Sequence, residues 1–185
     1  MRAVLDAIAA GRLDAEAKIL IANNGDCAAV QVAEAEHLPW RHISVTTEGS
    51  PEAADQAIAQ ALQDAGVELV VLSGYMRKLG PETLGRFRHR VLNIHPALLP
   101  RHGGQGLYGR RVHEAVRASG DAITGASIHL VDSEYDTGPV IAQASAPVRL
   151  EDSVQDIEAR VRALEPDLLV ETLRRIADGE LDLPR

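Results

Sequence analysis

Val91-Leu92-Asn93-Ile94-His95-Pro96-Ala97-Leu98-Leu99-Pro100 carries an amide and an imidazole on a short apolar run, which a proline then stops. Residues 91–95 read as a buried β-strand. Side chains at i and i+2 of a strand share one face, so Asn93 and His95 point to the same side. Pro96 has no backbone N–H to continue a ladder, which places both at the carboxyl end of the strand. Ligands of open α/β sheets bind beyond that end. A carboxylate on the distant turn Asp132-Ser133-Glu134-Tyr135-Asp136-Thr137-Gly138-Pro139 would complete a site suited to chemistry at a carbonyl group.

Working outward, residues 67–73 form the most β-branched run in the chain and read as a central strand. Further strands are expected at 18–22, 42–45, 126–131 and 140–148. Val4, Leu5, Ile8 and Ala9 form a helical stripe over residues 2–10, stopped at Gly11. Other helices are expected at 28–36, 51–66 with Ser50 as cap, 81–87 and 110–119. A last helix, 153–179, is expected to break or shift near Pro166. Strands alternating with helices predict a Rossmann-like α/β fold with a mostly parallel, doubly wound sheet. The short turn at 132–139 joins the last two strands, so an antiparallel element is expected near the C-terminal end. The glycine-rich segment 102–109 reads as a mobile loop. Such a fold normally begins with a strand, whereas this chain begins in a helix.

The 185 residues suffice for one domain with its own core, and 3% aromatic content makes that core aliphatic. A net charge of -8 without a basic block argues against nucleic acid as a partner. The single cysteine, Cys27, excludes an internal disulfide and reads as a partly buried filler. No apolar stretch reaches the roughly 20 residues of a membrane span, and the first residues lack a secretory core. The cytoplasm is the expected compartment.

Each chemistry-bearing residue also has a structural reading. A lone histidine is usually structural, an asparagine at a strand end usually satisfies backbone, and an Asp in a turn usually holds the turn. If the fold unites them, Asn93 donates to a carbonyl oxygen gaining charge, and His95 exchanges a proton near neutral pH. Asp136 would raise the affinity of His95 for its proton or hold a water. No serine or cysteine stands in a nucleophile elbow, which favours direct transfer between two substrates. His89, His95, His102, His113 and His129 show no metal-ligand spacing, so no metal is expected.

Four segments together resemble the formyltransferase family. They are residues 73–79 (Ser-Gly-Tyr-Met-Arg-Lys-Leu), 92–100, 125–129 (Gly-Ala-Ser-Ile-His) and 136–141 (Asp-Thr-Gly-Pro-Val-Ile). They occur in the family's order, and the resemblance covers nearly the whole chain. It is strongest to the branch that moves the formyl group of 10-formyltetrahydrofolate to the amine of glycinamide ribonucleotide in purine biosynthesis. By that resemblance Asn93 polarises the formyl oxygen, His95 is the general acid, and Asp136 tunes His95 and positions a water. Met76, Arg77, Lys78, Leu79, Val91 and Asn93, with Asp132 and Asp136, match the folate site. Gly74, Ile94, Pro96, Arg162 and Glu165 match positions near the ribonucleotide. The implied partners are these two small molecules.

Two positions depart from the family. Met1 to Ile8 resembles the helix that follows a first strand and phosphate-binding loop. Residues 1–185 are therefore expected to be one formyltransferase domain, truncated at its N-terminus relative to the family. Met1 would then be an internal methionine of a longer protein. Pro51 stands where many members carry an arginine for the folate tail. Without a phosphate loop, a folate-binding or scaffold protein lacking transfer activity is the alternative. Branches that act on tRNA or hydrolyse formyl folate carry an added domain that does not fit in this length. A sheet short of one strand exposes edges, so a homodimer is also expected.

Overall fold

Helices and strands largely alternate from Arg2 to Ala177 in the computed structural model, which describes residues 1–184. β1 (Leu20–Ala22) pairs in parallel with β2 (Trp40–His42), and β3 (Val70–Leu72) pairs in parallel with β4 (Val91–His95). β5 (Ile123–Leu130) runs antiparallel to β4 and places His129 opposite Asn93. β6 (Val140–Pro147) returns antiparallel to β5, with a register shift at Ile128/His129. Among the described residues the strands form two sheets, β1-β2 and β3-β4-β5-β6, with no ladder between them. The α/β architecture and the antiparallel C-terminal element are as the sequence predicts.

β4 is the layer between two cores, and its alternation feeds both. Val91 packs with Ile43, Ile58, Leu62, Leu79 and Phe87, beneath α4 (Pro51–Asp64) and α5 (Pro81–Arg86). Leu92 packs with Ala7, Leu13, Ile128, Leu130, Leu169 and Leu173, beneath α1 (Arg2–Ala9) and α7 (Val154–Ala177). α2 (Ala28–Ala35) lies on the small sheet, and α6 (Arg110–Ser119) packs on α7. Cys27 precedes α2, half-buried and free.

Several elements differ from the expected bounds. The strand expected at 42–45 ends at His42, and Val45–Glu48 is a one-turn helix, α3. Ser44 and Thr47 form a capping box there, in which side-chain bonds to backbone outweigh the β preference of Val45 and Thr46. The run at 67–73 contributes only Val70–Leu72 to a ladder. α7 continues unbroken through Pro166, contrary to the expected break. Buried Ile157 and Val161 on one side and Leu169 and Leu173 on the other keep both halves packed against the protein. Pro166 and Arg162, whose carbonyl loses its helical partner, are both exposed, so water can satisfy it.

One buried carboxylate links this scaffold to the region above β3. Asp55 of α4 accepts the N–H groups of Glu82 (2.8 Å) and Thr83 (3.2 Å), capping α5 from outside. A Cβ on Gly80 would stand 2.3 Å from an Asp55 oxygen, so that approach requires glycine. The cap fixes where segment 73–80 leaves the sheet.

Candidate active site

The carboxyl ends of β3 and β4 open into a cavity of about 500 Å³. Its floor comes from paired strands. Strand alternation places Asn93 and His95 side by side as expected, and the β4–β5 register sets His129 beside Asn93. Asp136, at the turn between β5 and β6, closes the group: His95 Nδ1 lies 3.5 Å from Asp136 Oδ2, and His129 Nε2 lies 3.4 Å from Oδ1. Asp136 adopts φ of 57°, a left-handed conformation that Asp tolerates better than most residues.

The hydrogen-bond partners decide the protons. His129 Nδ1 lies 2.9 Å from the Leu130 carbonyl, which only accepts, so Nδ1 carries the hydrogen. His129 Nε2 then accepts from the Asn93 amide nitrogen at 3.0 Å in the neutral ring. That leaves the second amide hydrogen of Asn93 for another acceptor. His95 Nε2 lies 2.8 Å from the His102 carbonyl and must donate to it. The exchangeable position of His95 is therefore Nδ1, the atom facing Asp136. Burial pushes the His95 pKa below its ordinary value, while the Asp136 charge and the bond to the His102 carbonyl oppose that shift. Burial pushes the Asp136 carboxyl upward. A His129 Nε2–H turned toward Oδ1 in the charged ring and the Gly104 N–H, which donates at 3.0 Å, oppose burial, and the carboxyl lies below its ordinary value.

The turn after β4 is locked from below. Fully buried Ser127 donates to the Ala97 carbonyl (2.6 Å) and accepts from the Leu99 N–H (2.9 Å) and from Gln143 (2.8 Å). The rim is looser. Met76, Tyr108 and Tyr135 line the mouth and stay 56%, 49% and 41% exposed. Lys78 lies over the Tyr135 ring at 5.6 Å and Arg111 over the Tyr108 ring at 5.1 Å. In the glycine-rich loop, His102, Gly104, Gly106 and Gly109 all have positive φ. A Cβ on Gly103 would meet Leu99 at 2.4 Å and Asp136 at 3.1 Å, so glycine lets the loop approach the carboxylate.

All the expected site residues but one line this cavity: Gly74, Met76, Arg77, Lys78, Leu79, Asn93, Ile94, His95, Pro96, Asp132, Asp136, Arg162 and Glu165. Val91 does not. It shares the face of Asn93 and His95 but sits two and four residues below them, with its side chain inside the first core. Burial raises the Glu165 carboxyl, and Arg162 opposes this. Sequence reasoning passed over His129 as a site residue, because its pairing with Asn93 appears only in the β4–β5 register. It also missed His113, 98% buried on α6, which lines the same wall with an Nδ1 that has no partner among the described residues. Nothing in the spacing of α6 marks His113 apart from an ordinary core position. Among the described residues, no group of three or more His, Cys, Asp or Glu is arranged to hold a metal.

The sequence profile of the formyl transferase family matches residues 1–173. The chain belongs to the formyl transferase family. A phosphoribosylglycinamide formyltransferase of Mycobacterium tuberculosis is 37% identical over 177 residues, covering 96% of this chain and 79% of that protein. A chloroplastic phosphoribosylglycinamide formyltransferase of Arabidopsis thaliana is 35% identical over 92% of this chain. The chain spans 59% of the length of that plant relative. The crystal structure of glycinamide ribonucleotide transformylase 1 from Symbiobacterium toebii superposes with a TM-score of 0.91 at 33% identity, covering 99% of this chain and 84% of that one. The whole cavity wall of this formyltransferase-family chain, Leu72 to Glu165, falls within the matched region. No helix of the described residues is long and apolar enough to cross a membrane.

Proposed function

We propose that this chain transfers the formyl group of 10-formyltetrahydrofolate to the amine of glycinamide ribonucleotide, in the cytoplasm, as one formyltransferase domain. The observation that carries the reading is the grouping of Asn93, His95, His129 and Asp136 at one strand end, in a cavity of about 500 Å³. The amine attacks the formyl carbon, and the carbonyl oxygen gains negative charge. The free amide hydrogen of Asn93 donates to that oxygen. As the bond from the formyl carbon to the folate nitrogen breaks, His95 supplies the proton that nitrogen takes up. The proton lost by the amine returns through the water that Asp136 positions. Met76, Arg77, Lys78 and Leu79 flank the folate, with Asp132 on the facing turn. Gly74, Ile94 and Pro96 lie toward the ribonucleotide, with Arg162 and Glu165 across from them. Val91 supports the folate pocket from beneath.

The test is folate-dependent formylation of glycinamide ribonucleotide by residues 1–185, with His95→Ala beside it. Transfer that falls about 10²–10⁴-fold in the variant supports the reading. Transfer unchanged by His95→Ala removes the assigned acid. Folate binding without transfer by the parent chain would favour the folate-binding alternative. A homodimer through an unpaired edge of either sheet belongs to the same proposal, and a monomer in sedimentation velocity would remove it.

A further inference from the structure

His95 meets a backbone carbonyl that is itself held by an ion pair. The carbonyl of His102 takes the Nε2–H of His95 at 2.8 Å. The His102 side chain turns the other way, and its Nε2 lies 2.7 Å from Asp121 Oδ2. The second oxygen of Asp121 lies 2.6 Å from Arg101, the residue just before His102. Asp121 sits between α6 and β5, outside the cavity wall, so it touches neither reacting group. His102 adopts φ of 56°, a conformation a non-glycine residue keeps only when its surroundings hold it. That twist aims the carbonyl at His95 while the imidazole reaches Asp121. Next along the loop, Gly104 donates its N–H to Asp136 at 3.0 Å. One anchored loop therefore supplies an acceptor to the acid and a donor to the carboxylate beside it.

We infer that Asp121 and His102 are positioning residues, which fix the His95 ring and its Nε2–H tautomer by anchoring the His102 carbonyl. The inference rests on the formyl-transfer reading for its kinetic consequence, but its structural consequence stands without it. A carbonyl can only accept, so Nε2 keeps its hydrogen and Nδ1 becomes the position that gains and loses the catalytic proton, facing Asp136. Asp121 carries a full charge in this role, because the hydrogen bond from His102 and the Arg101 charge hold its carboxyl below the ordinary range. Without the anchor, the left-handed turn at His102 relaxes and the carbonyl leaves the ring. The ring then samples both tautomers and loses its fixed direction toward Asp136. This resembles the way an outer carboxylate fixes the tautomer of a ligating or catalytic imidazole, except that a main-chain carbonyl carries the effect here.

Nitrogen-15 imidazole spectra, with His95 assigned by its loss in His95→Gln, read the tautomer directly. The parent protein should show His95 as the Nε2–H form alone. Asp121→Ala should show both tautomers and a titration midpoint lower than the parent's, because the carbonyl bond that raised it is gone. His102→Gln, whose amide can still donate to Asp121, should restore most of the single-tautomer spectrum. In formyl transfer, Asp121→Ala should lower kcat about tenfold with KM for both substrates within twofold, and His102→Gln should recover most of the loss. An unchanged His95 tautomer and kcat in Asp121→Ala would overturn the inference, since a merely structural contact lowers Tm alone. A rise in kcat would overturn it too, by making the carbonyl an obstruction. If Asp121→Ala does not fold, His102→Ala, which removes the side chain that reaches Asp121 and gives the left-handed turn no support of its own, carries the same expectations. A parent chain with no transfer but the expected spectra would refute the functional reading and leave the positioning intact.

Discussion

The cavity has a floor and a rim built on different terms. On the floor, Asn93, His95 and His129 sit on hydrogen-bonded strands, and the two histidines are at least 97% buried. Around the rim, Met76, Tyr108 and Tyr135 sit on loops and remain about half exposed, and the two tyrosine rings meet Arg111 and Lys78 at more than 5 Å. The floor can hold atoms to a fraction of an ångström, as proton transfer and oxyanion stabilisation require. The rim cannot, and under the proposed reaction it would enclose the folate instead. Damage to the floor should therefore appear in kcat and stability, and damage to the rim in KM.

Asp136→Asn should give the largest effect. It keeps the shape of the floor and removes the charge 3.5 Å from His95. In steady-state assays kcat should fall about 10²–10³-fold with KM changed by less than threefold. The sign of the titration follows from the causes: burial lowers His95 and the Asp136 charge raises it, so the variant's His95 midpoint falls further below the ordinary value. The Asp136 carboxyl is itself lowered in the folded state, so its contribution to stability is full above the ordinary carboxylate range. That contribution disappears as pH falls through the lowered value, and Asp136→Asn should flatten this part of the acid unfolding curve. A drop in kcat matched by an equal rise in KM would put Asp136 on the binding side instead.

Ser127→Ala tests the floor from beneath. One hydroxyl satisfies the Ala97 carbonyl, the Leu99 N–H and the Gln143 amide, all close to the turn that follows His95. Gln143 keeps its bond to the Leu99 carbonyl, but leaving the Ala97 carbonyl and the Leu99 N–H unpaired in a buried place should cost about 2–3 kcal/mol in urea unfolding. kcat should also fall, about three- to tenfold, because the turn that follows His95 loses its anchor. A variant as stable as the parent would mean that the turn repacks without the hydroxyl, and the floor would be softer than its hydrogen bonds imply.

How far this division was legible in the sequence depends on the range of the interactions. Residues 91–95 announce their strand and the shared face of Asn93 and His95, because alternation is local and Pro96 marks the end. The family motifs brought Asp136 to the same place. His129 was passed over because its meeting with Asn93 is set by antiparallel register, which no single segment encodes. His113 looked like any core position on a helix, and its open Nδ1 is visible only once α6 is packed. Val91 illustrates the opposite error. It shares the right face but not the right depth, and the core takes it. Pro166 predicted a break that buried residues on both sides of it overrode. The loop contacts of His102 and Gly104 depend on left-handed backbone at several positions, which glycine count suggests without fixing.

Tyr108→Ala should give the smallest effect and draws the boundary most sharply. The ring is about half exposed, so its loss should change unfolding free energy by less than about 0.5 kcal/mol. Its measurable contact is with the Arg111 guanidinium at 5.1 Å, a pairing worth about 0.5–1 kcal/mol at an exposed site. Freed of that ring, Arg111 no longer holds a fixed place on the cavity wall. KM for the folate should rise about two- to fivefold, the kinetic equivalent of that energy, with kcat within twofold of the parent. Tyr108→Phe keeps the ring and should match the parent in both constants. The phenol has no assigned hydrogen bond, so an effect in Phe as large as in Ala would locate the contribution at the hydroxyl. A tenfold loss of kcat in Tyr108→Ala, with KM unchanged, would mean that loop 102–109 transmits its packing to His95. The rim would then belong to the same rigid unit as the floor.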